Sequence, residues 1–489
     1  MSEQVIVGGA DGRLVVQPGV MANRHGLVSG ATGTGKTVTL QVLAEGFSRL
    51  GTPVFITDIK GDLSGLANPG APHEEIDRRL GAIPLPEYRQ RGYPVLFWDL
   101  FAERGHPVRT TVSEMGPLLL SNLLQLNDTQ TGILYAAFAV ADDEGLLLLD
   151  LDDLRSMLRW LAENAKALRS EYGNISAASV GAIQRRLLVL EEQGAERFFG
   201  EPALAIGDLM QRDFSGNGVI SVLHAARLSR ESPRLYAAFL MWLLSELFEE
   251  LPEVGDRDRP EFVLFFDEAH LLFKGMPRTL LEKIEQVVRL VRSKGVGVYF
   301  VTQNPLDVPS SVLGQLGLKV QHALRAFTPA DRKVVKAVAD GFPDGGSEGF
   351  EETVTRLGLG EALVSALAEN GAPSDGAVTL ISPPESQIGP ISSERRAEIL
   401  ARSPLKGRYE TEIDRESAYE MLAERAKQAA EKAEAEAARE DAAREARKRT
   451  TGGRQRQSVA EAMLKSAARS VGSSLGRRLV RGLLGSLLK

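Results

Sequence analysis

Gly30-Ala-Thr-Gly-Thr-Gly-Lys-Thr37 fits the pattern G-x-x-x-x-G-K-[ST], a loop that cradles phosphates with its backbone. Just ahead of it, His25-Gly26-Leu27-Val28-Ser29 reads as a short buried strand. Behind it, Val38 to Leu50 carries apolar residues at helical spacing and ends at Gly51. Strand, loop and helix in that order are the context the pattern requires. Glycines at 30, 33 and 35 let backbone N–H groups approach phosphate oxygens, and the helix N-terminus adds positive potential. The expected nucleotide-contacting set is Gly30, Thr32, Gly33, Thr34, Gly35, Lys36, Thr37 and Val38. Lys36 would reach the β- and γ-phosphates, and the Thr37 hydroxyl would ligate Mg²⁺. The competing reading is a chance match, since the chain holds 48 Gly in 489 residues. The flanking strand and helix argue against it.

A second stretch answers the first. Phe262-Val-Leu-Phe-Phe-Asp-Glu-Ala-His270 is an apolar run closed by two acids, the form of a Walker B strand. Asp267 would join the Mg²⁺ shell, and Glu268 would polarise the attacking water. Alone this pattern is weak, and downstream of a phosphate loop it is strong. His270 after it reads as a packing residue. Thr52-Pro-Val-Phe-Ile-Thr-Asp58 is another strand ending in an acid, with Asp58 open to two readings: a ligand of water or Mg²⁺, or a helix cap. Val296–Gln303 is a strand ending in an amide, so Gln303 either senses the γ-phosphate or caps a turn. Arg325, on a loop after the strand Leu318–Leu324, is either a finger for a neighbouring nucleotide or a surface charge. By spacing alone Arg24-His25 is a solvated strand start.

These strands and the intervening helical pattern imply an α/β fold with a central, mostly parallel sheet. The expected division is a core of 1–112 and 213–385, a helical insertion of 113–212, a charged helical linker of 386–457 and a C-terminal helix of 458–489. The charges on the inserted helices read as solvated faces. In the last segment Leu475, Leu479, Val480, Leu483, Leu484 and Leu487 line one helical face, with Arg477, Arg478 and Arg481 opposite. Such a helix would lie on an anionic membrane or dock on a protein partner, or it would serve oligomerisation or pack within the molecule.

Composition narrows the chemistry. Cysteine is absent, which excludes disulfides, thiolate catalysis and cysteine-held zinc, and six histidines with no close pair make a histidine metal site unexpected. There is no long apolar run and no signal-like start, so the expectation is a cytoplasmic protein, or one peripheral to the inner membrane face through 458–489. A net charge of −7 argues against a wholly basic nucleic-acid coat and leaves room for a local basic channel.

Taken together, Arg24-His25, Gly30–Thr37, Thr57-Asp-Ile-Lys-Gly61, Phe265-Phe-Asp-Glu-Ala-His270, Arg292-Ser-Lys-Gly295 and Val301-Thr-Gln-Asn-Pro305 resemble the HerA/FtsK superfamily of P-loop ATPases. Ser113–Pro117, His322–Pro329 and the helical middle look like its YjgR-type branch of HerA-like helicases. The resemblance implies a RecA-like sheet with the catalytic glutamate on the strand beside the phosphate loop, and a homo-hexameric ring with ATP between subunits. It implies ATP and Mg²⁺ as cofactors and double-stranded DNA as partner. It assigns nucleotide chemistry to Lys36, Thr37, Asp58, Asp267, Glu268 and Gln303, and subunit-interface roles to Arg24 and Arg292. Two features of the superfamily are not expected from these residues, the N-terminal β-barrel of HerA proper, since about two dozen residues precede the loop, and the winged-helix domain of the FtsK type. The function expected is Mg²⁺-dependent ATP hydrolysis by a HerA-like ring that drives DNA translocation. The alternative is a nucleotide-dependent scaffold or membrane-surface ATPase that does not act on DNA, and a protein-remodelling ATPase is a third.

Overall fold

The structure, a computed structural model, describes residues 3–450 apart from 256, 274–277, 327 and 344–348, and the backbone alone at 279, 280 and 445–450. The expected helix 458–489 lies outside the described residues. Runs such as Val54-Phe-Ile-Thr-Asp58, Phe262–Phe266 and Val296–Thr302 are buried at every position. Near-continuous apolar runs of this kind suit strands covered on both faces.

In chain order the strands are β1 (Gln4–Ala10), β2 (Arg13–Pro18), β3 (Gly26–Ser29), β4 (Val54–Asp58), β5 (Val95–Asp99), β6 (His106–Pro107), β7 (Ile220–His224), β8 (Phe262–Phe266), β9 (Val296–Thr302), β10 (Leu318–His322), β11 (Glu361–Ser365) and β12 (Ala377–Ile381). They form one 12-stranded sheet in the order β2-β1-β12-β11-β10-β3-β9-β8-β4-β7-β5-β6. From β10 to β6 every neighbouring pair is parallel, and from β10 outward through β11, β12 and β1 to β2 every pair is antiparallel. The phosphate-loop strand β3 lies between β10 and β9, Gln303 follows β9, and β8, which leads into Asp267 and Glu268, stands one place beyond β9. This corrects the expected adjacency. Register makes the correction harmless: Ser29 is level with Thr302, and Phe266 with Phe300, so all three strands end at one edge.

The two faces of the sheet are covered by different helices. Phe47, from the helix Lys36–Arg49, packs against Phe265 and Tyr299 with centroids 6.2 and 5.4 Å apart. Phe239, from the helix Pro233–Glu250, packs on Phe55 at 6.3 Å. Phe265 pairs in register with Ile56, one residue on from Phe55, so the alternation of a strand sends the two aromatic contacts to opposite faces.

Contacts divide the chain into two compact units. The first holds residues 1–135 and 181–414. Its last stretch is tied to the phosphate-loop helix: the Glu45 carboxylate accepts the amides of Glu385 and Ser386 at 2.9 and 3.0 Å, and Arg49 pairs with Glu385 at 2.6 Å. Within the second unit, 136–180 and 415–450 among the described residues, a long helix Ala418–Thr450 begins where Asp153 binds it. Asp153 is wholly buried and accepts from Ser417 Oγ at 2.6 Å and the Tyr419 amide at 2.8 Å. It therefore departs from the solvated faces expected of these helices. No helix among the described residues is long and apolar enough to cross a membrane.

Candidate functional site

β3 ends at Ser29, and the chain turns through Gly30–Gly35 into the helix Lys36–Arg49. Gly30 and Gly35 have φ of 150° and 116°. A Cβ at Gly30 would stand 2.5 Å from the Cβ of His322, so the loop tolerates no side chain there. Gly35 is the helix N-cap and no side chain caps the helix, so its first-turn amides remain available to an anion. Lys36 is buried and donates to the carbonyls of Gly30 and Ala31 at 2.6 and 2.9 Å. Burial, and then the charge of Lys60, lower its pKa. Thr34 is buried, Thr37 and Val38 are half-buried, and Thr32 and Gly33 are exposed.

The loop is braced from one side. The Ala31 amide donates to Ala323, and the Gly360 amide donates to Thr34. His322, buried behind the loop, donates from Nδ1 to the Glu361 carbonyl at 3.0 Å and accepts the Thr39 hydroxyl at Nε2, 2.8 Å. Burial pushes this imidazole down to about 4, so it is neutral. Arg79 holds the bracing loop, donating to the carbonyls of Leu359, Gly360 and Ile381 at 3.0, 3.3 and 2.9 Å. Beside Gly33 and Thr34 opens a cleft of about 820 Å³, lined in part by Leu324, Arg325, Val335 and Leu357.

Across the strand edge the acids meet the loop. Gln303 accepts the Thr32 hydroxyl at Oε1, 3.2 Å, and donates from Nε2 to Glu268 Oε1, also 3.2 Å. This line joins the phosphate loop to the acid of β8. Glu268 has φ 48°, a left-handed backbone rare outside glycine and typical of strain held at functional positions. Its amide donates to Asp267 Oδ1 at 2.9 Å, and the Asp267 amide donates to Thr57 Oγ1 at 3.0 Å. Glu268 Oε2 is buried without a hydrogen-bond partner, 3.4 Å from His270 Nδ1. Burial raises Asp267 to about 7, with Lys60 opposing. A divalent cation would fit here, because it supplies the compensation this buried carboxylate lacks.

Asp58 ends β4 at the same edge, Thr57 pairing in register with Phe266, and its carboxylate caps the following turn, accepting the amides of Gly61, Asp62 and Leu63 at 2.7, 3.2 and 3.2 Å. Burial first, then Asp62, raise it to about 6. Arg24 and Arg292 lie at the other end of the strands. Arg24 ends a 3-10 helix ahead of β3, and Arg292 follows the helix Arg278–Val291 ahead of β9. Asn23 Nδ2 reaches the Arg292 carbonyl at 3.4 Å. Both arginines flank His25, whose pKa falls to about 4 through burial, then Arg292, then Arg24. Seven residues of β9 separate the two edges by roughly 20 Å. Arg325 lines the cleft at the phosphate-loop end.

Sequence reasoning assigned no site role to Lys60, His270, Arg79 or His322. Lys60 and His270 sit inside stretches already singled out, so proximity in sequence was a usable signal. Arg79 carried none for this role: beside the local Glu75 at 3.0 Å, its partners are carbonyls that come near only in the folded chain.

The family described as "Helicase HerA-like C-terminal" matches residues 3–489. The DNA double-strand break repair helicase HerA of Sulfolobus acidocaldarius is 22% identical over 350 residues, covering 70% of this chain and 62% of that one. This chain thus spans less than two thirds of that relative. Among solved structures, VirB4 of Thermoanaerobacter pseudethanolicus aligns at TM-score 0.47 and 17% identity, covering 81% of this chain and 99% of that one. The plasmid coupling protein TrwB in complex with ADP and Mg²⁺ aligns at 0.47 and 19%, covering 79% and 90%.

Proposed function

The chain belongs to the HerA-like helicase C-terminal family, and from that premise we propose that it is a Mg²⁺-dependent ATPase that assembles as a homo-hexameric ring and translocates double-stranded DNA. The observation that carries the hydrolytic part is the continuous line Thr32–Gln303–Glu268, which joins a phosphate loop to a buried acid. The loop and helix N-terminus bind the triphosphate, and Lys36 leaves the Gly30 and Ala31 carbonyls for the β- and γ-phosphate oxygens. Thr37 and Asp267 would hold Mg²⁺, whose charge offsets that of the phosphates. Glu268 orients the attacking water, with the unpartnered Oε2 as an acceptor for its O–H. Gln303 reports whether the loop is filled, since Thr32 and Glu268 share its amide. The cleft beside Gly33 and Thr34 takes the nucleoside.

The separation of Arg24 and Arg292 from the loop supports the ring reading. Neither can reach the nucleotide of its own chain, and a head-to-tail contact would bring them to that of a neighbour. The test is steady-state ATPase activity at low salt, with and without long double-stranded DNA, with Lys36→Ala as blank. Stimulation that fades with added salt is the expected result, because phosphate contacts release counterions. Turnover indifferent to DNA would overturn the translocase reading and favour the scaffold, whose proposed anchor 458–489 is then tested on anionic vesicles.

A further inference from the structure

Lys60 stands on the turn after β4, and that turn is rigid because the Asp58 carboxylate accepts the amides of Gly61, Asp62 and Leu63. The braced turn delivers Lys60 Nζ to 3.2 Å from Glu268 Oε1. This is the oxygen that also accepts from Gln303. One carboxylate oxygen is thus held both by an amide in touch with the phosphate loop and by an ammonium on a flexible four-carbon stem. The Lys60 side chain is 37% exposed and that of Glu268 only 8%, so the lysine is the partner with room to move. Burial works against the Lys60 charge, and Asp267 and Glu268 together outweigh it, raising its pKa. Lys60 and Lys36 repel one another across the same pocket.

We infer that Lys60 is a positioning residue for Glu268 that responds to the γ-phosphate. It ties Glu268 Oε1 while no γ-phosphate is present, and it moves its ammonium to a γ-phosphate oxygen when one arrives. A terminal phosphate carries a charge of about −2 against the carboxylate's −1, so the exchange runs toward the phosphate. Glu268 is then free to hold the attacking water. ADP lacks the group that draws Lys60 away, so the pair stays closed on product. The glutamate backbone need not move, because its amide stays on Asp267 Oδ1. This inference rests on the hydrolytic reading of the site.

The test compares the full-length wild type with Lys60→Met and Lys60→Arg, in the presence of Mg²⁺. Titration calorimetry reads the affinities for ADP and for a non-hydrolysable ATP analogue, and initial rates give kcat and KM. Lys60→Met is expected to keep ADP affinity within about twofold while losing about tenfold in the preference for the analogue over ADP. Lys60→Arg, which keeps the cation, should restore the preference. An unchanged preference for the analogue in Lys60→Met would show a permanent pair and overturn the exchange. Equal loss of both nucleotides with a lowered melting temperature would reduce Lys60 to a brace. Glu268→Gln runs alongside: if it kept full turnover, the hydrolytic reading itself would fail. If it is slow while Lys60→Met matches wild type, the Lys60 inference fails alone.

Discussion

At one edge of the parallel strands Thr32, Gln303 and Glu268 form a hydrogen-bonded line, with Lys36 and Lys60 close to the acids. At the other edge Arg24 and Arg292 flank a buried histidine. The same strands feed both. β3 follows Arg24 and leads into the phosphate loop, and β9 lies between Arg292 and Gln303. A parallel sheet collects all its strand ends of one sense at one edge, so residues only a few positions apart in sequence are set far apart in space. In the proposed ring the nucleotide edge would bind and orient the substrate, and the arginine edge would complete the transition-state charge on another copy of the chain.

The predictions test that division, the strongest first. Lys36→Ala should reduce ATPase activity to the blank, because it removes the cation at the phosphate oxygens, and it should leave circular dichroism unchanged. Arg292→Ala should lower kcat by about 10³-fold while keeping nucleotide affinity, as expected of a charge supplied to a neighbour's transition state. Mixing Arg292→Ala with Glu268→Gln should then restore up to about a quarter of wild-type turnover, since random assembly forms interfaces with both edges intact. Absence of recovery with mixed rings confirmed by mass would break the trans assignment.

A smaller effect separates packing from chemistry at the loop. His322 is buried and its pKa falls from 6.5 to about 4, so the unfolded chain binds more protons between those values. Stability is fully present above about pH 6.5 and is lost as pH falls toward 4. The share of His322 is about 2 kcal/mol at pH 5. His25, also lowered to about 4, contributes a like loss, so chemical denaturation at pH 7 and pH 5 should show a loss that is smaller in His322→Gln than in wild type by about the His322 share. The mildest change is Gln303→Ala, for which about a tenfold fall in kcat is expected, reading the loss of the link between Thr32 and Glu268. Unchanged kinetics would make Gln303 a turn cap.

Much of the fold was legible beforehand, for definite reasons. Apolar runs such as Phe262–Phe266 and Val296–Thr302 are long enough and bounded sharply enough to be strands wherever they fall. β11 was missed because Glu361-Ala-Leu-Val-Ser365 is made of residues that favour a helix as readily. Its strand conformation comes from pairing with β10 and β12, which are close only in the fold. Asp153 was misread for a related reason. Nothing nearby in sequence shows that Ser417 and Tyr419 will surround a carboxylate on a charged helix.

The chemistry of the phosphate loop was written locally, since backbone reach, glycine φ angles and a helix N-terminus all follow from eight consecutive residues. The identity of Asp267 and Glu268 as the answering acids was nearly as local, because an apolar run ends in them. Three features came from elsewhere: the amide that links loop to acid, the lysine that holds Glu268, and the sidedness of the arginines. Each depends on strand order and register, which are set by how the hydrophobic faces of distant segments bury one another. Local backbone preference can announce a loop, and burial shared across the whole sheet determines what stands beside it.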